Sequence, residues 1–365
     1  MARLFTCGFE FGELIEHNGV IIDESLITQA VQSTVVRSGT YAWKISAIAQ
    51  GAVYVAAFSQ VLAGNPQEVY VRIGFQYSLG VSDASTIFQP IVTLSDAAGN
   101  NHLTLALITS TARLNLYRGN TGSIGQTSGT LVGTGTVAFT SDVWHVIEFY
   151  AKIADSGGVA TIKVSGITDI DFSGDTANSA NEYVGTVFFG ACGVSAAAEG
   201  AADYYYDDIA INDTTGASEN TWPGLSGVYL LLPAADGNAT TWTRSTGASN
   251  WALVDELPNN TTDYVSSSVA DAIDQYTLTS LCPAINTINF IEPTFQAALG
   301  AAGSAGVFPL VRHSGSDFES ASVIVAQATP NYILFKGEPI YTVLGGAGAW
   351  TPAQVNALEV GMKIK

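Results

Sequence analysis

Strand-length runs of apolar residues, broken every few positions by Gly, Asn, Asp or Ser, recur along almost the whole chain, and helical periodicity is nearly absent. That pattern restricts the fold to all-β. Runs at 41–48, 68–77, 103–108, 113–118, 144–153, 159–164, 183–190 and 204–212 have strand length, and turn-forming clusters such as Asp96-Ala97-Ala98-Gly99-Asn100-Asn101 separate several of them. In the run 68–77, Val69, Val71, Ile73 and Phe75 alternate with Tyr70, Arg72 and Gln76, the pattern of a strand with one face on a core. Such density of strands before residue 215 predicts a two-sheet jelly roll.

A length of 365 residues suits two domains. Small polar residues fill 213–218, and Trp222-Pro223-Gly224 then restarts an apolar pattern. The expected division is a jelly-roll β-sandwich over 1–215, a linker over 216–225 and a second β-sandwich over 226–365. Near the end, Thr351-Pro352-Ala353-Gln354 offers a capping Thr, Pro at the first helical position and Gln three residues after the cap, so one short helix over 352–358 should precede the last strand.

Composition narrows the partners. Thirteen Lys and Arg face 32 Asp and Glu, a net charge of −19, which repels a phosphate backbone and argues against nucleic acid. Mean hydropathy is +0.26 and only 12% of residues are charged, yet the most apolar stretch, 297–310, is interrupted by Gly300, Gly303, Gly306 and Pro309, so no membrane insertion is expected. Met1-Ala2-Arg3-Leu4-Phe5 has no signal-peptide core, which implies assembly in a cytoplasm. Cys7, Cys192 and Cys282 are odd in number and scattered, as free thiols are.

The segment Tyr204-Tyr205-Tyr206-Asp207-Asp208-Ile209-Ala210-Ile211-Asn212 concentrates the candidate chemistry. Strict alternation puts Tyr204, Tyr206, Asp208, Ala210 and Asn212 on one side and Tyr205, Asp207, Ile209 and Ile211 on the other. Three successive Tyr cannot all face one side, so at least one ring should reach a surface. Asp207, Asp208 and Asn212 are candidate calcium ligands, joined by Asp96 or Asn100 from a loop, or else a solvated acidic pair at a strand end. No other cofactor is implied. Asp169 and Asp171 would stand ~6.6 Å apart on one strand face, within reach of an inverting carboxylate pair. Their turn-rich setting reads instead as solvated acids in a hairpin, and Glu10 and Glu13 read the same way. His17, His102, His145 and His313 share no metal spacing, and no Gly-x-Ser-x-Gly elbow occurs. The tryptophans, Trp144 among them, are assigned to core or inter-subunit packing.

Two resemblances follow. Gly8-Phe9-Glu10, Arg37-Ser38-Gly39-Thr40-Tyr41, Trp144-His145, Gly166 and Tyr206-Asp207-Asp208-Ile209 make the first half similar to concanavalin A-like, laminin-G-like jelly-roll modules. The second half resembles the distal part of tailed-bacteriophage virion proteins that carry such a jelly roll. The matching segments include Trp222-Pro223-Gly224, Leu231-Leu232-Pro233-Ala234-Ala235-Asp236-Gly237-Asn238, Gly247-Ala248-Ser249-Asn250-Trp251, Asp263-Tyr264-Val265 and the closing segment from Trp350 to Gly361.

The resemblance implies a virion structural protein of capsid or tail. Its partners would be other virion proteins and further copies of itself, and it would lie on the outer surface of the particle. The catalytic glutamates of the glucanases in this superfamily are missing around Asp169-Ile170-Asp171, so the expectation is a chain that is not an enzyme and has no hydrolytic activity. The alternative is a module that binds carbohydrate on the host surface.

Overall fold

Val69, Val71, Ile73, Phe75 and Tyr77 point inward from a single strand, Glu68–Leu79, and all five are buried. That strand lies at the middle of the first of the two sheets formed by the N-terminal half; the computed structural model describes residues 3–365 other than 24–26, 48–52, 80–87, 120–128, 196–201, 259, 261, 301–304, 322 and 326–331. The side chain of Cys192 lies outside the described residues.

Among the described residues the first sheet has eight strands. In spatial order Ile167–Gly174, Gly158–Val164, His145–Lys152, Glu68–Leu79, Ala202–Asp213, Ala42–Ala47 and Ile27–Gln32 follow one another, and Arg3–Cys7 also pairs with Ala202–Asp213. The second sheet runs Thr130–Thr134, Arg113–Arg118, Asn101–Ile108, Phe88–Ser95, Thr186–Ser195, Val53–Val61 and Ile21–Asp23. Neighbouring strands are antiparallel throughout, as in the pairs Phe149↔Val71 and Leu105↔Val92.

The inner faces meet in one core. Trp43, Phe58, Phe75, Phe149, Phe189, Tyr204 and Tyr206 are among its largest members, with Trp43 and Tyr206 ring centroids 5.0 Å apart. Each such side chain, buried, stabilises the fold by roughly 1.5–3 kcal/mol before entropy is charged against it. The all-β expectation is met.

The strand Ala202–Asp213 departs from strict alternation. A bulge at Asp207 and Asp208, with Asp208 at a φ of 51°, resets the phase, so the inward set is Tyr204, Tyr206, Ile209 and Ile211. Tyr205 is left on the outer face.

The two units divide at Tyr229 and Leu230, so the second starts four residues after the expected 226. Residues 216–225 are no free linker, because they pack onto the first sheet. Trp222 sits edge-on to Tyr70 and Tyr150, Asn212 Nδ2 donates to Thr221 O, Arg3 pairs with Glu219, and the Gly224 N–H donates to Glu148 at 2.8 Å.

The second unit, Leu230–Lys365, is also all-β. Its main sheet runs Pro233–Thr240, Ile273–Leu278, Glu359–Ile364, Ala305–His313 and Ser316–Glu319, with Val323–Val325 added to Ala305–His313. Val311, Val343, Trp350, Val355 and Leu358 form its buried cluster. The helix Pro352–Val355 carries the capping box read from Thr351 and Gln354, and stops three residues short of the expected end. Trp251–Leu253 forms one 3₁₀ turn.

Candidate functional site

The outer face of the first sheet has two halves, and they differ in what covers them. Over one half lies the segment from Glu219 to Val228. Arg37 donates to the carbonyls of Leu225 and Ser226, the Val228 N–H donates to Asp208 Oδ1 at 2.6 Å, and the buried Arg72 donates to Ser226 Oγ and to Asp208 O. Lys163 Nζ stands 3.7 Å from the Trp222 ring centroid.

This half contains the residues expected to ligate calcium. Asp207 Oδ2 accepts from the N–H groups of Arg37 and Ser38, and its Oδ1 accepts from the Asp208 N–H. Asp208 accepts from the Arg37 guanidinium, Ser38 Oγ and Val228 N, while Asn212 Oδ1 accepts from Arg3 Nε at 2.6 Å. With every one of these oxygens engaged, and a guanidinium against Asp208, the trio does not fit a calcium ion. Asp96 and Asn100 lie in the loop joining Phe88–Ser95 and Asn101–Ile108 of the second sheet and bond to each other. Among the described residues no three His, Cys, Asp or Glu are grouped to hold a metal.

Burial, reinforced by the neighbouring Asp208, pushes Asp207 well above the ordinary carboxylate range. Glu10, buried against the same loop and accepting from the Thr40 and Tyr41 N–H groups, is raised by its burial to about 7. Neither Glu10 nor the Asp207–Asp208 pair is a solvated surface acid.

Asp169 and Asp171 are not a pair on one face. Asp169 is the extra residue of a bulge between Ile162 and Lys163 of the partner strand, and it turns to accept from the Thr136 and Val137 N–H groups. Asp171 stays outside and accepts from Thr161 Oγ1. Asp169 is buried, which corrects its reading as a solvated hairpin acid.

The other half of the first sheet's outer face is open, and strand register assembles it. Tyr205 lies opposite Gln76 on one side and Lys44 on the other, and Lys44 lies opposite Ala30. In the adjoining row Asp203 lies between Ser78 and Ser46, and Ser46 opposite Thr28. Trp144, just before the strand His145–Lys152, closes the first row with its ring 6.4 Å from that of Tyr205.

Thr28 and Ala30 are exposed and Trp144 is half-buried, whereas Gln76 and Tyr205 are buried, Tyr205 between Trp144 and Lys44. Asp203 organises the polar part: Lys44 Nζ is 2.8 Å away, Ser46 Oγ donates at 2.6 Å and the Tyr205 hydroxyl at 3.4 Å. Burial disfavours the Lys44 ammonium, but Asp203 outweighs it and raises the lysine above its usual range; the same contacts hold Asp203 below its own. The lysine and the aspartate therefore face solvent as a charged, mutually neutralising pair, beside an indole held in place by a second ring.

Sequence reading singled out the Tyr triplet but assigned Trp144 to packing. Its position was recoverable, because Ile147, Phe149 and Ala151 face inward, so the even-numbered positions back to 144 face out. Lys44 follows likewise from its inward neighbours Trp43 and Ile45.

No protein-family model matches the chain, and neither does any curated protein. Among solved structures it is similar to an endo-β-1,4-glucuronan lyase from the fungus Trichoderma reesei, with 17% identity, a TM-score of 0.45, and 58% of this chain and 96% of that one covered. It is also similar to the alginate lyase Aly36B, with 14% identity, a TM-score of 0.40, and 57% and 96% covered. A third is a conserved carbohydrate esterase from Shiga toxin-encoding bacteriophage phi24B, with 16% identity, a TM-score of 0.39, and 57% and 97% covered. Its own two-sheet topology makes the first unit a jelly-roll β-sandwich. Because lyases and an esterase are among the similar structures, the expectation that the chain is not an enzyme is withdrawn.

Proposed function

We propose that the first unit is a carbohydrate-binding jelly roll, displayed by a protein of the tailed-phage particle. The observation that carries the binding site is the set of part-exposed side chains Trp144, Lys44, Asp203, Ser46 and Ser78 gathered around the buried Tyr205 and Gln76. A pyranose offers an apolar face of C–H groups and an equatorial rim of hydroxyls that both donate and accept. The half-buried Trp144 ring, packed against Tyr205, supplies a flat apolar surface, while carboxylate, ammonium and hydroxyl groups supply partners for the rim. The other half of the sheet is closed by the Glu219–Val228 segment, so this half is where the described outer face of that sheet is available.

The particle assignment rests on the segments of the second unit that resemble phage virion proteins, and it makes other virion proteins, further copies of the chain and a host-surface glycan the partners. Binding of the full chain to a glycan array tests the site. Trp144→Ala and Asp203→Ala should each abolish the signal while leaving the fold intact by circular dichroism, and retention of binding by both variants would remove the site from this face. Chromatography of the bound glycan before and after incubation shows whether it is also cleaved. Immunogold labelling of particles with an antibody to the second unit tests the location; unlabelled particles would refute it.

A further inference from the structure

We infer that the saccharide bound at the Tyr205 row is uncharged, and that polyuronates and other acidic glycans are excluded; this rests on the carbohydrate-binding reading of that row. The argument concerns where the cations are. The first unit has eight Lys and Arg against 21 Asp and Glu, so an anionic polymer approaches against a repulsive field. All thirteen Lys and Arg of the chain fall at described positions, so the positions left undescribed add none.

Most of the first unit's cations are already committed. Arg3 pairs with Glu219, Arg37 with Asp208, Lys44 with Asp203 and Arg118 with Asp175. Arg72 is buried under the Glu219–Val228 segment and Lys163 lies over Trp222. The two that remain, Arg113 and Lys152, are not in the rows around Tyr205.

Lys44 is thus the one cation in the open site, and its carboxylate is already present. A uronate reaching it would set its own carboxylate against Asp203, with no second cation to offset either the like-charge contact or the lost pair. The exposed Asp142, two residues before Trp144, adds a further negative charge. A neutral sugar meets no such conflict. Lys44 and Asp203, 2.8 Å apart, match two neighbouring ring hydroxyls: one donates to the aspartate, the next accepts from the ammonium, and the ion pair stays intact beneath them. Ser46 and Ser78, part-exposed and neutral, extend the same pattern.

The test uses the full chain with two sets of probes, neutral hexasaccharides (cellohexaose, laminarihexaose, maltohexaose and mannohexaose) and acidic ones (hexa-galacturonate and hexa-guluronate), titrated by tryptophan fluorescence and calorimetry at low and high salt. At least one neutral probe should bind with an affinity that salt hardly changes, and no acidic probe should bind at either salt concentration. Asp203→Asn and Lys44→Gln should each weaken the neutral probe by about tenfold or more. Binding of an acidic probe that weakens as salt rises and is lost in Lys44→Gln would overturn the inference while leaving the site in place. Failure of both sets, or neutral binding unchanged in Trp144→Ala and Asp203→Asn, would instead overturn the carbohydrate site, and the inference with it.

Discussion

Trp222 meets Tyr70 edge-on, with ring centroids 5.3 Å apart, and this contact turns a stretch that reads as a linker into part of the first sheet's surface. The segment around it is also tied down by Gly224 on Glu148, Leu225 and Ser226 on Arg37, and Val228 on Asp208. Edge-to-face aromatic pairs contribute ~0.5–1.5 kcal/mol beyond burial. Trp222→Ala should therefore loosen the segment without unfolding the sandwich. Limited proteolysis should cut between 214 and 229 about tenfold faster in the variant, with the melting temperature lowered by only a few degrees. Equal cleavage rates would show that the hydrogen bonds alone hold it.

The two units behaved differently towards sequence reading. In the first, alternation was enough for the strands because both sheets bury one face continuously, as in Glu68–Leu79. It failed at Asp208 and Asp169, where bulges add one residue and move a carboxylate to the other side of its strand. Bulges of this kind leave no periodic mark. The calcium assignment failed for a related reason: Asp207, Asp208 and Asn212 are close in sequence, but the donors that saturate them, Arg37, Ser38, Val228 and Arg3, come from distant segments. The Tyr205 row was half legible, since alternation places Lys44 and Trp144 outside, while their meeting depends on the strand order.

Stability of the first unit should fall as pH rises from about 5 to 8. Burial lifts Glu10 from an ordinary 4.5 to about 7, and Asp207 is raised as well by burial and by Asp208. A group whose folded-state pKa is raised contributes fully below its unfolded value and loses that contribution as pH climbs through the folded one. For Glu10 this is on the order of 2–3 kcal/mol. Asp96 works the other way: despite its burial, bonds from Asn100, Asn181 and Ser179 hold it far below its ordinary 3.8, so its contribution is lost only in stronger acid. Thermal unfolding followed between pH 4 and 9 should show a maximum on the acidic side of neutrality, and Glu10→Gln should flatten the alkaline limb. A melting temperature that rises from pH 5 to 8 contradicts the assignment.

Asp169 and Asp171 should separate cleanly. Asp169→Ala leaves the N–H groups of Thr136 and Val137 without their acceptor, at a cost of about 1–3 kcal/mol. Asp171→Ala removes an exposed acid that accepts from Thr161 and should stay within about 0.5 kcal/mol of the parent. Urea unfolding of both variants measures the difference, and equal midpoints would mean that the bulge does not bury Asp169 as described.

Trp350 anchors the second unit. Its indole Nε1 donates to Ile340 O at 2.9 Å, its ring lies edge-on to His313 at 5.4 Å, and Val311, Val343, Val355 and Leu358 make up the rest of the buried cluster. Among the described residues of that unit few apolar side chains are fully buried, so it has little to spare. Truncating a buried tryptophan costs ~3–5 kcal/mol, a large part of the ~5–15 kcal/mol that holds a typical domain. Trp350→Ala should therefore unfold Leu230–Lys365 at ordinary temperature while Met1–Tyr229 keeps its transition. Calorimetry of the full chain distinguishes the cases: loss of one transition is expected, and two transitions both within a degree or two of the parent would show that the cluster does not depend on this ring.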